Sequence, residues 1–329
     1  MVAVLLVRRL ASVNFDWRLA GSSVRQLRWE WAALSLVPAM GTYYGRALRW
    51  AVFLRPFKPR PSMRNLVSAT VIGFAAITVF GRPGEFVRPY LIAVRENVPL
   101  PSQLGAWLLE RIFDLLMVLL IFGFALMRLY SSGARVGPRL AWVLVAGGRV
   151  VTISCIVILL LVLSMRHFAE PFQRRLTAAI RFLPAKKFQR GEHLISTFVR
   201  GIASIRSDAA LFLVFVYSVV EWAMIAAVYW CLANSYSAAF QLSFSDVLIF
   251  LGFVSFGAIV QIPGVGGGVQ VVTVVVLTEL FHVKLEVASS FALVSWILTF
   301  VVIVPIGGLV AVKEGLDWRS LQRLRPESI

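Results

Sequence analysis

The amino-acid sequence predicts an all-α polytopic membrane protein, an inverted-repeat helical bundle with two re-entrant helical hairpins. Three observations predict it. The chain is 59% hydrophobic and only 15% charged over 329 residues, where a soluble domain carries about 25% charged residues. Lys and Arg gather in some loops and are missing from others. Two apolar stretches are too short to cross a bilayer core of about 30 Å comfortably, and each runs into a turn rich in Gly or Pro.

In chain order, residues 1–13 read as the remnant of a first helix, too short to span. Residues 14–127 form the first repeat. Its first full span, 29–54, is interrupted by Pro38 and Gly41 and carries Arg46 and Arg49. A basic loop follows, with Arg55, Lys58, Arg60 and Arg64. The apolar run 66–80 is only about 22 Å long as a helix. It leads into "GRPGEFVRPY" (81–90) and then into the span 104–127. The second repeat, 140–312, opens with the span 140–165, which contains Arg149. The polar stretch 166–208 reads as one or two amphipathic surface helices. After it come the span 209–233 with Glu221 inside it, the run 247–262, the glycine tract "PGVGGG" (263–268), the run 269–281 and the last span, 289–312. Residues 313–329 are a basic tail.

Loop charge orients these segments. The stretch 166–208 holds Arg166, Arg174, Arg175, Arg181, Lys186, Lys187, Arg190, Arg200 and Arg206, whereas 234–246 holds no Lys or Arg. The first is therefore expected on the cytoplasmic side and the second outside. The tail, with Lys313, Arg319, Arg323 and Arg325, is expected inside as well. The runs on either side of "PGVGGG" must then enter and leave from the outer face, as a re-entrant hairpin. The same logic sends 66–95 in and out from the cytoplasmic face, with "GRPG" as its tip. Two repeats of opposite orientation, with broken helices meeting near the midplane, are a signature of transporters.

The formal charge of +17 comes from 33 Lys and Arg against 16 Asp and Glu. It sits in membrane-flanking loops, which points to anionic headgroups rather than nucleic acid. Cys155 and Cys231 lie inside apolar runs and give no disulfide framework. His167, His193 and His282 are scattered, so neither a metal nor any other cofactor is expected.

Ionisable groups at membrane depth cost about 2.5–3.5 kcal/mol each on insertion scales, which makes them the informative residues. Arg82, Glu85 and Arg88 recur every third residue and share a face if their segment is helical. Arg46 and Arg49 share a face of the first full span, as do Glu110 and Asp114 on a later one, with Arg111 beside them. One reading is a polar cavity in which arginines grip a lipid phosphate. The other is an internal lattice of ion pairs that neutralise one another. Gly81, Pro83 and Gly84 would let the first hairpin turn at depth, and Pro263, Gly264, Gly266, Gly267 and Gly268 the second. Tryptophans such as Trp29, Trp31, Trp50, Trp222 and Trp318 read as interfacial anchors.

The strings "RALRW" (46–50), "GRPGEFVRPYLI" (81–92), "ERIFDLL" (110–116) and "PGVGGGV" (263–269) resemble the lysylphosphatidylglycerol synthetase transmembrane family. That family comprises the flippase-like membrane domain of bacterial multiple peptide resistance factors and stand-alone homologues. The resemblance covers roughly residues 14–312. It implies a protein of the bacterial plasma membrane that translocates an anionic or zwitterionic lipid headgroup between leaflets. It also places Tyr90, within the string 81–92, and Gln270 among the substrate-facing positions. Gln270 stands where the family pattern often has a glutamate, and Val265 where it has a glycine. No aminoacyl-transferase segment is recognisable within the 329 residues. Two alternatives to transport stay open. One is an intramembrane enzyme acting on a lipid-linked substrate through Glu85, Glu110 or Asp114. The other is an accessory partner of a lipid-modifying enzyme in envelope biogenesis.

Overall fold

The computed structural model describes residues 15–131, 138–182, 184–205, 207–258, 261–262 and 266–315. The remnant helix, most of the tail, and Pro263 and Gly264 of the glycine tract lie outside the described residues.

Side-chain caps set several of the helix starts. Helix α1 (Trp17–Arg25) begins where the Asp16 carboxylate accepts the amides of Arg18 and Leu19. Helices α2 (Trp29–Leu34) and α3 (Leu36–Leu54) are parted at Ser35. Pro38 explains the break one turn upstream, because it cannot donate to the carbonyl of Leu34 and its ring crowds that group. Gly41 does not interrupt α3; it makes room for Met224, whose Sδ lies 2.8 Å from the place of an added Cβ.

Helix α4 (Met63–Phe80) starts at Ser62, whose hydroxyl accepts from the Asn65 amide. It stops at Gly81, held at φ +69°, where a side chain would be strained. A short 3-10 turn (Arg82–Phe86) leads to α5 (Val87–Glu96), which closes on Asn97 in the left-handed region. Helix α6 (Leu100–Ser131) follows, then α7 (Pro138–Ala179), α8 (Ala185–Ile202), a 3-10 turn (Ala203–Ile205) and α9 (Asp208–Ser235). A capping box between Ser243 and Asp246 starts α10 (Phe244–Gly257). Two-residue strands β1 (Gln261–Ile262) and β2 (Gly266–Gly267) pair antiparallel around the glycine tract, a small departure from an all-helical chain. Helices α11 (Gly268–Glu279) and α12 (Leu285–Trp296), a π-helical turn (Ile297–Val301) and α13 (Ile303–Lys313) complete the described chain.

The chain is a multi-pass membrane protein. Met63–Phe80, Leu100–Ser131, Asp208–Ser235 and Leu285–Lys313 are each long and apolar enough to cross a bilayer. The first of these corrects the expectation that the run 66–80 is too short to span, because the Ser62 cap starts its helix three residues earlier. The predicted boundary at Met165 is not a helix end. Helix α7 continues through Pro171 to Ala179, so the first part of 166–208 extends that helix and α8 is a separate one.

Two large apolar cores, with two smaller clusters beside them, fill the bundle. Trp50, Phe53, Leu66, Ile92, Leu109 and Val214 anchor the first, and Tyr236, Phe250, Phe291, Leu232 and Leu277 the second. Helix α3 touches both, with Ala39 in the second core and Ala47 in the first; α9 likewise runs from Val214 to Ala226. Arg46, Ser218 and Glu221 lie between those contacts, and Arg49 just past Ala47.

Helices α4 and α5 fold back on each other. At 1.5 Å per residue α4 is about 27 Å long, and the 3-10 turn plus α5 return about the same distance. Gly84 permits the turn: a Cβ there would stand 2.5 Å from the Ala76 carbonyl. At the open end Glu96 accepts from the Ser62 amide at 3.2 Å and the Asn65 side chain at 2.6 Å, and pairs with Lys58 at 2.8 Å. The hairpin therefore finishes beside where it started. The second pair closes at its tip instead, where α10 meets α11 and a Cβ on Gly257 would stand 2.6 Å from the Gly268 carbonyl.

Burial pushes the Glu96 carboxyl up, but hydrogen bonds from Lys58, Asn65 and the Ser62 amide, with the Lys58 charge, outweigh it and hold it below its ordinary value. Its contribution to stability is then complete above the unfolded value of about 4.3 and is lost as pH falls through the lower folded value. Thermal unfolding in detergent across an acid pH series should show this loss in the wild type. In Glu96→Gln the transition should be lower at neutral pH and flatter in acid.

Candidate functional site

The polar groups between the two cores come from four helices. Helix α3 supplies Arg46 and Arg49 one turn apart, and α9 supplies Ser218 and Glu221 from facing turns. Helix α6 supplies Glu110, Arg111 and Asp114, and α5 supplies Arg88 from its first turn. The packing of α9 on α3 puts the first two sets in contact.

Arg49 is the centre of the set, with a side chain of 0% exposure. Its guanidinium reaches Glu110 at 2.8 Å, Asp114 at 2.8 Å and Glu221 at 3.2 Å, and donates to the Ser218 hydroxyl at 2.9 Å. Arg46 pairs with Glu221 at 2.7 Å while its guanidinium lies 4.6 Å from the centre of the Phe74 ring. Arg88 grips Glu110 with both terminal nitrogens and stacks 4.3 Å over Trp50. Gly73 makes this possible, since a Cβ there would stand 2.7 Å from that of Arg88. The Trp50 indole donates to Gln103 at 2.9 Å, which fixes the ring that Arg88 covers. Arg111 reaches Glu110 at 3.4 Å and Asp114 at 3.3 Å.

On one side this network borders a cavity of about 340 Å³. Arg46, Arg111, Asp114 and Trp222 form its polar wall. Both helix pairs contribute to its rim: Ile77, Thr78, Arg82 and Glu85 from the first, Val254, Ser255, Ala258 and Val269 from the second and its flanks. The two tips touch. Arg82 pairs with Glu85 at 2.9 Å and donates to the Ala258 carbonyl at 3.2 Å. The π-helical turn closes the far side with Thr299 and Phe300, and the Thr78 hydroxyl donates to the Phe300 carbonyl at 3.3 Å.

The predicted site residues thus divide. Arg46, Arg49, Arg88, Glu110, Arg111, Asp114 and Glu221 are brought into one network. Arg82 and Glu85 sit at the rim, and the expected common face of Arg82, Glu85 and Arg88 is split. The 3-10 turn ends at Phe86, so Arg88 turns inward while Arg82 stays half-exposed. Tyr90 packs against the first core and does not line the cavity. Gln270 is spent on backbone: its side-chain oxygen accepts the Gly267 amide at 2.7 Å and starts α11. Sequence reasoning missed Ser218, Phe74 and Thr78, and it read Trp50 and Trp222 as interfacial anchors, whereas Trp50 is fully buried under Arg88 and Trp222 lines the cavity. Neutral residues in apolar runs carry no charge signal, and only their helical spacing from Glu221 or Gly81 could have pointed to them. Among the described residues no group of three or more His, Cys, Asp or Glu is arranged to hold a metal ion.

The comparisons with known proteins bear on this site. A sequence model of the lysylphosphatidylglycerol synthase TM region matches residues 1–307. A curated relative, "Glycosyltransferase AglD" of Haloferax volcanii, is 34% identical over 89 residues. That alignment covers 27% of this chain and 14% of the relative, so the chain spans a small part of that protein's length. No solved structure matches the chain.

Removing Arg49 leaves three buried carboxylates short of a cation, and removing one partner of a buried pair costs about 3–5 kcal/mol. Arg49→Ala is expected to lower the thermal transition in detergent strongly and to cut the yield of folded protein. Arg82→Ala removes a half-exposed pair worth about 1 kcal/mol or less and should unfold close to wild type.

Proposed function

Because the chain belongs to the lysylphosphatidylglycerol synthase transmembrane family, we propose that it moves the headgroup of a phospholipid or lipid-linked phosphate between leaflets through the cavity bordered by Arg46 and Arg111. The headgroup travels in the polar cleft while the acyl tails remain in lipid. The contact between the two tips, Arg82 on the Ala258 carbonyl, is the single observation that carries this reading. It joins the two tips through a half-exposed arginine, and a hydrogen bond of this kind breaks and reforms at little cost.

In this reading α4–α5 and α10–α11 are re-entrant hairpins of two inverted repeats, one entering from the cytoplasmic side of the bacterial plasma membrane and the other from outside. The return of Glu96 to Ser62 and Asn65 supports the first hairpin, and the meeting of Gly257 with Gly268 supports the turn of the second. Broken helices whose ends meet at a shared cavity are the arrangement of many secondary transporters. The site is read as transporting rather than catalytic, because every carboxylate of the network is held by guanidinium groups and none of them is left to act as a general base. The relative's name favours one second reading, in which this membrane unit serves an enzyme that acts on lipid-linked sugars.

Purified protein in unilamellar vesicles with fluorescent phosphatidylglycerol tests the transport reading. Chemical quenching of the outer leaflet should reach most of the label in wild-type vesicles and about half in protein-free ones. Arg82→Ala and Arg111→Gln should slow the exchange by about tenfold or more, the loss expected for one charge-assisted contact. No exchange of phosphatidylglycerol, phosphatidic acid or phosphatidylethanolamine by wild-type protein would falsify it, and turnover of a lipid-linked sugar donor would favour the second reading.

A further inference from the structure

The charge balance of the network goes further than a polar cleft for lipids, and it bears on which headgroups fit. Four guanidinium groups (Arg46, Arg49, Arg88 and Arg111) face three carboxylates (Glu110, Asp114 and Glu221). The Arg82–Glu85 pair at the rim is neutral. Residues 259–260 and 263–265, which lie outside the described residues, contain no ionisable side chain. Among the described residues one positive charge is left over.

The positions of the individual atoms agree with the count. All six oxygens of the three buried carboxylates lie within 3.4 Å of a guanidinium nitrogen. An ammonium entering the cavity would meet each network oxygen beside a guanidinium. Both Asp114 oxygens on the wall are paired, and Glu85 at the rim is paired through Oε1. Glu221, whose ion-paired oxygens make no hydrogen bond, does not line the cavity. The buried polar atoms of the cavity wall without a hydrogen-bond partner include Nε of Arg46, Nε of Arg111 and Nε1 of Trp222. All three are N–H donors with no acceptor capacity. Arginine forks and an indole N–H match phosphate oxygens in both charge and geometry.

We infer that the cavity selects headgroups of net negative charge, with exposed phosphate oxygens, and discriminates against cationic headgroups. The family is named for a lipid whose lysyl group makes the headgroup net positive; the charge order at this site is the reverse. The inference rests on the reading of this cavity as the headgroup site, but it concerns binding and not movement.

Calorimetric titration of the detergent-solubilised full chain tests it with three short-chain lipids: dihexanoyl phosphatidic acid, dihexanoyl phosphatidylcholine, and dihexanoyl ethylphosphocholine as the cation. The expected order is anion, zwitterion, cation, with the anion bound at least about tenfold tighter than the zwitterion. Arg111→Gln removes the surplus charge from a partly exposed side chain and should cut that preference by about tenfold while keeping a wild-type thermal transition. Equal affinities for the three lipids, or tightest binding of the cation, overturn the inference. So does an unchanged preference in a folded Arg111→Gln, which assigns the anion to the basic surface instead. Anion-selective, Arg111-dependent binding together with no leaflet exchange sustains the inference and sinks transport alone.

Discussion

The guanidinium of Arg49 is buried between two apolar cores, with three carboxylates from two other helices around it. Taking such a cation out of water costs several kcal/mol even after relaxation, and the carboxylates carry a similar cost. Neither set can be buried without the other. Helices α3, α6 and α9 are therefore committed to one mutual register, since a shift of one residue would turn Arg49 or Glu221 away by about 100°. The packing of α9 along α3 and the location of the cavity follow from that commitment. Arg88 extends the constraint to the first hairpin: its hold on Glu110 fixes where α5 begins and hence where the 3-10 turn must lie.

Much of this was legible in the sequence because charge inside apolar runs is conspicuous. Arg46, Arg49, Glu110, Asp114 and Glu221 announce themselves by depth, and the spacing of each pair places it on one helix face. The break at Gly81 was readable from "GRPG" for a similar reason, since few other sequences allow a positive φ followed by Pro. Which charge meets which was not readable. Glu221 lies 175 positions from Arg46 in sequence, and nothing local to either helix indicates that the two pack together. The expected face shared by Arg82, Glu85 and Arg88 failed because a 3-10 turn advances 120° per residue and an α-helix about 100°, and the change between them separates Arg88 from the other two. The extent of α7 was missed because Arg166, Arg174 and Arg175 looked like the end of a span, yet a helix longer than the bilayer simply continues past it.

The glutamine at position 270 shows how family expectation and local physics interact. Where a glutamate would bring a second charge to the cavity tip, the amide oxygen of Gln270 instead accepts the Gly267 amide at the start of α11. A helix start leaves four amides unpaired, and this residue satisfies one of them. A carboxylate could make the same contact but would also add a negative charge beside a cavity with one surplus cation. Glutamine keeps the cap and leaves the surplus intact.

The network grades from structural to available as it approaches the cavity. Arg49 and Glu110 have no exposed side-chain surface and are surrounded by charge partners. Arg46 and Arg111, at 13% and 36% exposure, each keep their pairs; like Arg49 each has an Nε without a hydrogen-bond partner, but these two residues line the cavity. Arg82 at the rim is half-exposed and bridges the two tips. The two sequence-level readings, an ion-pair lattice and a substrate cleft, are therefore not exclusive. The buried end of the lattice holds cations that could not otherwise stay at membrane depth, and the surplus it creates is presented at the open end. A purely structural lattice would be expected to neutralise itself and to satisfy its donors, because an unpaired buried donor costs about 1–3 kcal/mol. Retained donors and a retained charge on one wall of a cavity are what a passing anion requires.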